Sequence, residues 1–300
     1  MKNRPGSGTY WRALGRAFLT IFLASILGLA GYIAYLSART AQSALHPPRI
    51  PLSQTPRSVG ISEYQDVAFT TADHILLKGW YMPPRPGNGQ VILLFHGYAG
   101  NRQILLPEAG MLSNHGFGVL MIDFRGHGES GDALVTIGEN EQNDVRAALD
   151  WAASQPGVRG LSGLGFSMGG AALAMAASRD TRLSSVVIEA AFPTLDAELW
   201  FRARVFGWLS QLPAVWVTRG AGVDPGHVRP LDALCAISPR PVLLIYGEHD
   251  GDVPPGTPQA MRAAACSPAE LWLVPGAGHQ NYAEIDPAEY EQRLVDWFQR

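Results

Sequence analysis

Short apolar runs rich in Val, Ile and Leu alternate with helical patterns over most of this 300-residue chain. The runs are VAFT (67–70), ILLKGWYM (75–82), VILLFH (91–96), GVLMID (118–123), LSGLGF (161–166), SSVVIE (184–189), PVLLIY (241–246) and ELWLVP (270–275). The helical patterns fall near 102–115, 139–154, 168–179, 256–266 and 286–299. Such alternation is typical of an α/β fold with a mostly parallel sheet covered by helices on both faces. The first two runs have no helix between them, which predicts an antiparallel start.

The composition allows one large core and excludes several classes of protein. With 47% hydrophobic and 16% charged residues, the chain is neither disordered nor collagen-like. The net charge is −3, and the basic residues are concentrated before the first acidic residue, Glu63. The remainder is acidic, so we predict no nucleic-acid partner. Two cysteines are too few for a multi-thiolate metal site or an iron–sulfur cluster.

The N-terminal region contains an uncharged apolar segment at 17–36, AFLTIFLASILGLAGYIAYL. A helix needs about 20 apolar residues to cross a bilayer, so we predict a transmembrane helix that attaches the protein to a membrane. A cleaved secretory signal is the alternative, because a basic stretch precedes the segment and the small residues Ser37 and Ala38 follow it. The apolar part of such a signal is only ~7–15 residues long, which favours an uncleaved anchor.

The two flanks of this segment differ in charge and composition. Residues 1–16 form a basic tail with four Lys and Arg residues, whereas only Arg39 and Arg49 closely follow the segment. The positive-inside rule then predicts a single-pass protein with a cytoplasmic N-terminus and an extracytoplasmic main domain. Residues 37–62 contain four prolines and no apolar periodicity, which is typical of a stalk. The main domain is predicted over 63–300.

The sequence Gly165-Phe166-Ser167-Met168-Gly169 lies between the fifth apolar run and a helical pattern. In a strand–turn–helix context, GxSxG indicates a sharp turn that exposes a nucleophilic serine and leaves no room for side chains two positions away. We therefore predict Ser167 as the nucleophile and Gly165 and Gly169 as the glycines of its turn. The alternative is a glycine-rich turn in which Ser167 only caps the helix.

A serine nucleophile needs a histidine base and an acid that orients the histidine. In this architecture the chain order is serine, acid, histidine. Asp250 follows the seventh apolar run and His279 follows the eighth. The ends of parallel strands meet at one edge of a sheet, so both side chains are expected near Ser167. We predict a catalytic triad of these three residues.

Other residues remain open for two of these roles. His249 is the alternative base, but it directly precedes the predicted acid, and adjacent residues are poorly placed to hydrogen-bond as base and acid. Asp252, Glu248 and Glu189 are the alternative acids, and Glu189 closes an earlier strand.

The third run leads into His96-Gly97-Tyr98-Ala99-Gly100-Asn101, a loop whose glycines allow a backbone N–H to point into the site. We predict an oxyanion hole made by the backbone N–H groups of Tyr98 and Met168. His96 precedes the serine, and we expect it to hydrogen-bond the loop backbone. The motif DFRGHGES (123–130) is expected to brace a tight loop through Asp123, Arg125 and His127, and less so to bind a metal.

The sequence gives little indication of a cofactor or metal site. A Walker-type GxxxxGK[ST] and an HExxH are missing, and the GxGxxG pattern at 126–131, GHGESG, leads to no helix of the dinucleotide-binding type. We therefore predict no cofactor and no metal.

Taken in order, the HGYAGN, DFRGHGES, GFSMGG, YGEHDGDVP and GAGH segments resemble those of the α/β-hydrolases from about Glu63 to Arg300. Among these, the chain is similar to Bem46-like, serine aminopeptidase-like and dienelactone-hydrolase-like proteins. The resemblance implies an α/β-hydrolase fold with an eight-stranded sheet whose second strand is antiparallel, and a small helical cap at about 193–234. It also implies the same triad.

These features predict a membrane-anchored serine hydrolase that cleaves a carboxylic ester or thioester. The aromatic residues of the cap favour a small-molecule or lipid-like substrate with an apolar portion. A serine peptidase, for which Glu198 is the candidate acidic group, and an acyltransferase remain open. A non-enzymatic alternative also remains open, namely a catalytically silent membrane-anchored binding protein. The oligomeric state is left open.

The two cysteines precede neighbouring strands of the predicted sheet. Cys235 lies before the seventh run and Cys266 before the eighth, so both are expected at the edge opposite the site. A disulfide needs Cα atoms ~5.5–6 Å apart, which is within reach. Two buried free thiols remain the alternative, and we favour them slightly.

Overall fold

A computed structural model describes residues 7–266 and 268–300, with side chains described from residue 10. Residues 1–6 of the predicted basic tail lie outside the described residues. The strands are β1 Gln65–Thr70, β2 Leu76–Met82, β3 Gln90–Phe95, β4 Gly118–Asp123, β5 Gly160–Phe166, β6 Leu183–Glu189, β7 Val242–Gly247 and β8 Ala269–Val274. The α-helices are α1 Ser7–Ala44, α2 Leu106–Asn114, α3 Glu141–Ala153, α4 Met168–Ala177, α5 Leu195–Arg202, α6 Trp208–Gly220, α7 Pro230–Ala233, α8 Thr257–Ala264, α9 Tyr282–Ile285 and α10 Pro287–Phe298.

The strands form one sheet of eight within the described residues, in the order β1-β2-β4-β3-β5-β6-β7-β8. β2 pairs antiparallel with both of its neighbours, and every pairing from β4 to β8 is parallel. The central strands are buried along nearly their whole length, as their continuous apolar runs predicted. The eight-stranded, mostly parallel sheet with an antiparallel second strand is confirmed. Its register brings the carboxyl ends of β3, β5, β7 and β8 to one edge.

The helix α1 includes the predicted transmembrane segment and extends beyond it at both ends. Its apolar stretch is long enough to cross a membrane by length and composition, and a signal sequence passes the same test. Thr20 and Ser25 interrupt the apolar surface, but each hydroxyl donates a hydrogen bond to the carbonyl four residues earlier. Neither residue therefore leaves its hydroxyl without a partner on the apolar surface of the helix.

The segment 37–62, for which the sequence predicted an extended stalk, instead packs on the α/β domain. Helix α1 continues to Ala44, because residues 37–44 contain no proline or glycine. Leu45 is then buried, and the Arg49 guanidinium donates to the carbonyl oxygens of Gly128 and Ser130. The prolines of this segment are compatible with a chain that packs on the domain surface as well as with a free stalk, since neither requires regular backbone hydrogen bonds.

The cap is predicted at 193–234, and in the structure α5, α6, α7 and three short 3-10 helices lie between β6 and β7. Thr194 caps α5 through its side chain, which accepts a hydrogen bond from the Ala197 N–H. The most extensive packing of α1 is against α6. The N-terminal helix and the cap are thus in direct contact.

The two cysteines form a disulfide between the turn before β7 and the segment after α8. The Cα atoms of Cys235 and Cys266 are 4.5 Å apart, and both side chains are consumed by the bond. The slight preference for two free thiols was therefore wrong. Because β7 and β8 pair in parallel, the segments that precede them, which carry Cys235 and Cys266, lie at the same end of the sheet.

Candidate active site

Ser167 stands on a strained turn between β5 and α4. Its φ of 51° and ψ of −115° lie in a region that side chains other than glycine rarely adopt. A Cβ atom on Gly165 would lie 2.5 Å from the Gly169 carbonyl oxygen, and one on Gly169 would lie 2.3 Å from the Phe95 carbonyl oxygen. Both glycines are therefore required by space, and the turn presents the serine hydroxyl at the sheet edge.

Ser167, His279 and Asp250 follow three different strands and form a continuous chain of contacts. His279 Nε2 lies 3.1 Å from Ser167 Oγ. His279 Nδ1 lies 2.9 Å from Asp250 Oδ2 and 3.1 Å from Asp250 Oδ1. The Asp250 side chain is 2% exposed, while the His279 side chain is 19% exposed. This arrangement can pass the serine proton to an imidazole that a buried carboxylate orients.

The loop that carries His279 is held by its neighbours. The Tyr282 hydroxyl donates to the His279 carbonyl oxygen at 3.0 Å, and the Gly278 N–H donates to the Asn281 side chain at 2.8 Å. A Cβ atom on Gly247, at the end of β7, would lie 2.0 Å from the Gly278 carbonyl oxygen. The close approach of these two backbones brings the acid and the histidine together.

The structure gives the alternative acids other partners. Glu248 accepts a hydrogen bond from the Gly276 N–H, and Glu189 accepts one from the Tyr290 hydroxyl. The side chain of Asp252 is 56% exposed and lies 4.0 Å from Arg202. None of these acids contacts an imidazole nitrogen of His279 within the described residues, which favours Asp250.

The loop after β3 lies beside the serine. An ideal Cβ on Gly97 would lie 3.4 Å from the Ser167 Cβ. Tyr98 and Met168 line the same cavity as Ser167 and His279. Met168 is also the first residue of α4, where backbone N–H groups lack intrahelical acceptors. Tyr98 and Met168 therefore lie near the serine, where the sequence predicts an oxyanion hole.

Two neutral histidines hold this loop in place. His96 donates from Nδ1 to the Gly97 carbonyl and accepts the Phe124 N–H at Nε2, and His127 Nε2 accepts the Ala99 N–H at 3.1 Å. Burial lowers the pKa of His96 to about 3 and also lowers the pKa of His127. The expected bracing role of both histidines is confirmed, since every ring nitrogen is engaged with backbone.

The DFRGHGES loop is fixed by buried ion pairs. Asp123 accepts hydrogen bonds from the backbone and guanidinium of Arg102. Arg125 binds Asp144 through two nitrogens and also binds Asp73. Desolvation raises the pKa of Asp123, and the guanidinium beside it opposes that shift. Asp123 and Arg125 therefore brace this loop, as expected from the sequence.

An apolar cavity of about 580 Å³ opens beside the serine and extends under the cap. Its apolar lining comes from the cap and from the ends of β3, β5 and β6, with a further contribution from α1. The lining residues around Ser167 include Tyr98, Ile137, Phe166, Phe192, Leu195, Leu199, Val205, Phe206 and Ala214.

One acidic side chain reaches this cavity from the cap. Glu198 accepts a hydrogen bond from Arg202 through Oε1, while its buried Oε2 has no partner in the described part of the chain. Burial raises the pKa of Glu198, and the Arg202 guanidinium opposes that shift. Arg202 also donates to the Asp252 carbonyl at 3.0 Å, which ties the cap to the turn that carries the acid.

A second cavity, of about 490 Å³, lies on the other side of His279. Two buried carboxyls, Glu108 and Glu189, line it and share the Tyr290 hydroxyl, at 3.3 Å and 2.7 Å. Burial raises the pKa of Glu189 to about 8 and that of Glu108 to about 7. The sequence gave no signal for this cluster, because its members are far apart along the chain.

The family model described as the alpha/beta hydrolase fold matches residues 90–226. An uncharacterized protein of Mycobacterium tuberculosis, Rv2307c, is 30% identical over 225 residues, which are 74% of each chain. The chain belongs to the α/β-hydrolase superfamily. The uncharacterized protein YfhR of Escherichia coli is 25% identical over 249 residues, 78% of this chain and 80% of that one. The Pyrococcus furiosus esterase Pf2001 has a TM-score of 0.71 and 26% identity, covering 85% of this chain and 98% of its own.

In this α/β-hydrolase, the described His, Cys, Asp and Glu side chains offer one cluster with metal-ligand spacing. It consists of Asp250, Asp252 and His279, whose ligand atoms lie within 4.8 Å of one another. Both nitrogens of His279 already face hydrogen-bond partners, Asp250 and Ser167. A metal at this place would have to displace one of those contacts, so the geometry suits a triad better than a metal site.

The contribution of α1 to the large cavity of this α/β-hydrolase was not predicted from the sequence. Leu36, Ser37, Thr40, Ala41 and Ala44 line it together with Ser167. The spacing of the small residues Ser37, Ala41 and Ala44 at helical intervals was the available signal. Because the helix was predicted to end at residue 36, this spacing was not recognised as part of a helix.

Proposed function

We propose that this α/β-hydrolase is a serine hydrolase that cleaves a carboxylic ester or thioester through an acyl-enzyme on Ser167. The observation that carries the proposal is the continuous contact of Ser167, His279 and Asp250 at the strained turn. The roles follow from the chemistry of each group, because a hydroxyl needs a base and an imidazole base needs an oriented tautomer.

In the proposed mechanism, His279 Nε2 takes the hydroxyl proton as Ser167 Oγ attacks the substrate carbonyl. The N–H groups of Tyr98 and Met168 stabilise the oxyanion of the tetrahedral intermediate. His279 then gives its proton to the leaving oxygen or sulfur, and the acyl group stays on Ser167. A water molecule, deprotonated by the same nitrogen, releases the acid and restores the serine.

An ester is favoured over a peptide by two observations. The Pyrococcus furiosus protein, which matches 85% of this chain with a TM-score of 0.71, is named an esterase. The cavity beside Ser167 is lined largely by aliphatic and aromatic side chains, which suit an apolar acyl or alkyl group. An alcohol or thiol is also a better leaving group than an amine.

A serine aminopeptidase is the second candidate, and one observation favours it. Glu198 lines the cavity with a buried carboxylate oxygen that has no partner among the described residues. Such an oxygen could bind the ammonium of a free amino terminus. Arg202 already pairs with the same carboxylate, so the charge available to a cationic substrate is reduced.

We further propose an uncleaved membrane anchor with the α/β domain on the extracytoplasmic side. Arg12 and Arg16 precede the apolar stretch together with further basic residues, whereas Arg39 and Arg49 follow it, as the positive-inside rule requires. The Cys235–Cys266 disulfide suits an oxidising compartment. The packing of α1 on α6 supports retention of the helix, because its removal would uncover the apolar face of α6.

The test compares two substrate types on the detergent-solubilised full chain. We expect hydrolysis of p-nitrophenyl butyrate and none of amino-acid p-nitroanilides, and loss of the ester activity in Ser167→Ala. Ser154→Ala, an exposed serine on the surface, is the matched control and should keep full activity. Faster cleavage of the anilides would favour the aminopeptidase. Turnover of neither substrate, with no reaction of Ser167, would favour a silent binding protein.

A further inference from the structure

The last turns of α1 form one wall of the cavity that contains Ser167. The residues from this helix are Leu36, Ser37, Thr40, Ala41 and Ala44. Ala41 is buried, and Leu45 directly after the helix is 1% exposed and packs with Ala171, Phe192 and Leu195. The end of α1 is therefore an integral part of the domain that carries the serine.

The side chains of this wall are small on the side that faces the domain. Ser37, Ala41 and Ala44 lie on one face of the helix, at intervals of four and three residues. Small side chains let α1 approach the cap closely while they leave open space beside it. The volume of the cavity along α1 thus depends on these three positions.

The opposite wall is formed by apolar residues of the cap. Leu199, Ala203, Phe206 and Ala214 line it, and the Ser210 hydroxyl is engaged with the Ala203 carbonyl. On α1, the Thr40 hydroxyl donates to the Leu36 carbonyl at 2.9 Å. The two walls thus offer few free polar groups, and the space between them suits an aliphatic chain.

The mouth of the cavity lies at the end of the apolar stretch of α1. Leu36 and Thr40 are exposed although they line the cavity. The cap exposes large apolar side chains here: Val205 and Phe206 line the same cavity, Trp208 and Trp216 belong to α6, which packs on α1, and each of the four is more than half exposed. Aromatic residues of this kind concentrate at membrane–water interfaces, and here they lie next to a helix that can span a membrane.

We infer that the last turns of α1 set the length of aliphatic chain that the site accepts, and that the substrate is an ester whose chain enters from the bilayer that α1 crosses. This inference rests on the proposed ester hydrolysis. It makes the N-terminal helix a specificity-determining element as well as an anchor. A chain from which α1 had been cleaved would lack one side of its substrate site.

The test fills the space beside α1 and measures chain-length preference. In the detergent-solubilised full chain, Ser37→Trp should fill the space beside α1 and exclude part of the decanoyl chain. We expect kcat/KM for p-nitrophenyl decanoate to fall by about tenfold or more, because each methylene excluded from an apolar pocket costs about tenfold or more. Turnover of p-nitrophenyl acetate, whose acyl group is much shorter, should fall far less, so the ratio of decanoate to acetate turnover should drop. Ser43→Trp, on the same helix but outside the cavity lining, is the matched control and keeps both rates.

Thr40→Trp, at the exposed mouth, provides a second variant if Ser37→Trp does not fold, and it should shift the preference in the same direction. An unchanged ratio of decanoate to acetate turnover in a variant with the wild-type Tm would overturn the inference while leaving ester hydrolysis intact. A mature membrane protein whose N-terminus begins after residue 44 would also overturn it. Failure of the wild type to hydrolyse acetate would instead refute the proposed function, and the inference with it.

Discussion

At the scale of single residues, Ser167 shows how function opposes stability. A non-glycine residue with this φ and ψ costs about 1–3 kcal/mol, and the surrounding turn imposes that conformation. Ser167→Gly should relieve the strain, offset in part by the greater entropy of glycine in the unfolded chain, and raise the unfolding free energy by about 1 kcal/mol. Ser167→Ala, which keeps a Cβ, is the control and should unfold like the wild type.

Thermal unfolding checks this prediction through a rise in Tm of about 2–4 °C for Ser167→Gly. Equal Tm values for the glycine and alanine variants would show that the backbone strain is no larger than the entropic cost of glycine, and would contradict the predicted gain. Neither variant should hydrolyse an ester, so stability and activity separate at this one position.

The acid of the triad can be tested by two aspartates that are two residues apart. The side chain of Asp250 is nearly fully buried against His279, whereas that of Asp252 is 56% exposed. Asp250→Asn should lower kcat by about 10⁴-fold, because it favours the wrong imidazole tautomer and removes the charge that stabilises the imidazolium. Asp252→Asn should leave kcat near the wild-type value. A larger loss of kcat in Asp252→Asn than in Asp250→Asn would show that Asp252, and not Asp250, is the acid of the triad.

The buried pair Glu108 and Glu189 should make stability depend on pH. Burial raises both carboxyl pKa values above the ordinary value of 4.5, to about 7 and about 8, so the folded chain holds protons that the unfolded chain releases. The contribution of these two carboxyls to the unfolding free energy should therefore fall as pH rises from about 4.5 to about 8. Glu189→Gln removes one of these groups and should reduce that slope by up to about 1.4 kcal/mol per pH unit.

Denaturant unfolding at several pH values measures this slope. Glu284→Gln, which changes an exposed carboxyl near the same cavity, is the matched control and should leave the slope unchanged. An identical pH dependence in Glu189→Gln and the wild type would mean that this carboxyl is ionised in the folded protein.

At the scale of elements, the disulfide joins two segments that are 31 residues apart along the chain. Closing a loop of that length restricts the unfolded chain and should contribute about 2–4 kcal/mol to stability. The double variant Cys235→Ser/Cys266→Ser, or treatment with a reductant, should lower the denaturant midpoint accordingly without abolishing ester hydrolysis. Two thiols that titrate in the denatured, unreduced protein would contradict the bond.

Elements with a strong local pattern could be predicted from the sequence. Each apolar run became a strand whose bounds differ by at most two residues, because buried strands carry a strong apolar signal. The end of α1 and the segment after it could not be predicted in the same way. Their structure depends on contacts of Leu45 and Arg49 with residues far along the chain, and such contacts leave no local pattern.

At the scale of the whole molecule, one part of the candidate site could be predicted from the sequence and another part could not. The serine turn, the acid and the histidine follow strands in a fixed order, so the chain order and the parallel topology were sufficient to bring them together. The wall from α1 and the cluster of Glu108, Glu189 and Tyr290 arise from packing between distant segments. The sequence therefore indicated the chemistry of the site more clearly than the shape of its substrate.

Labelling of the membrane-bound full chain with a fluorophosphonate probe, followed by mapping of the modified peptide, tests the central claim most directly. A serine activated by His279 should attack the phosphorus, so we predict one covalent adduct on Ser167. Labelling should be lost in Ser167→Ala, strongly slowed in His279→Ala, and unchanged in the surface control Ser154→Ala. A folded wild-type chain that does not react, or an adduct on another serine, would contradict the assignment of Ser167 as the nucleophile.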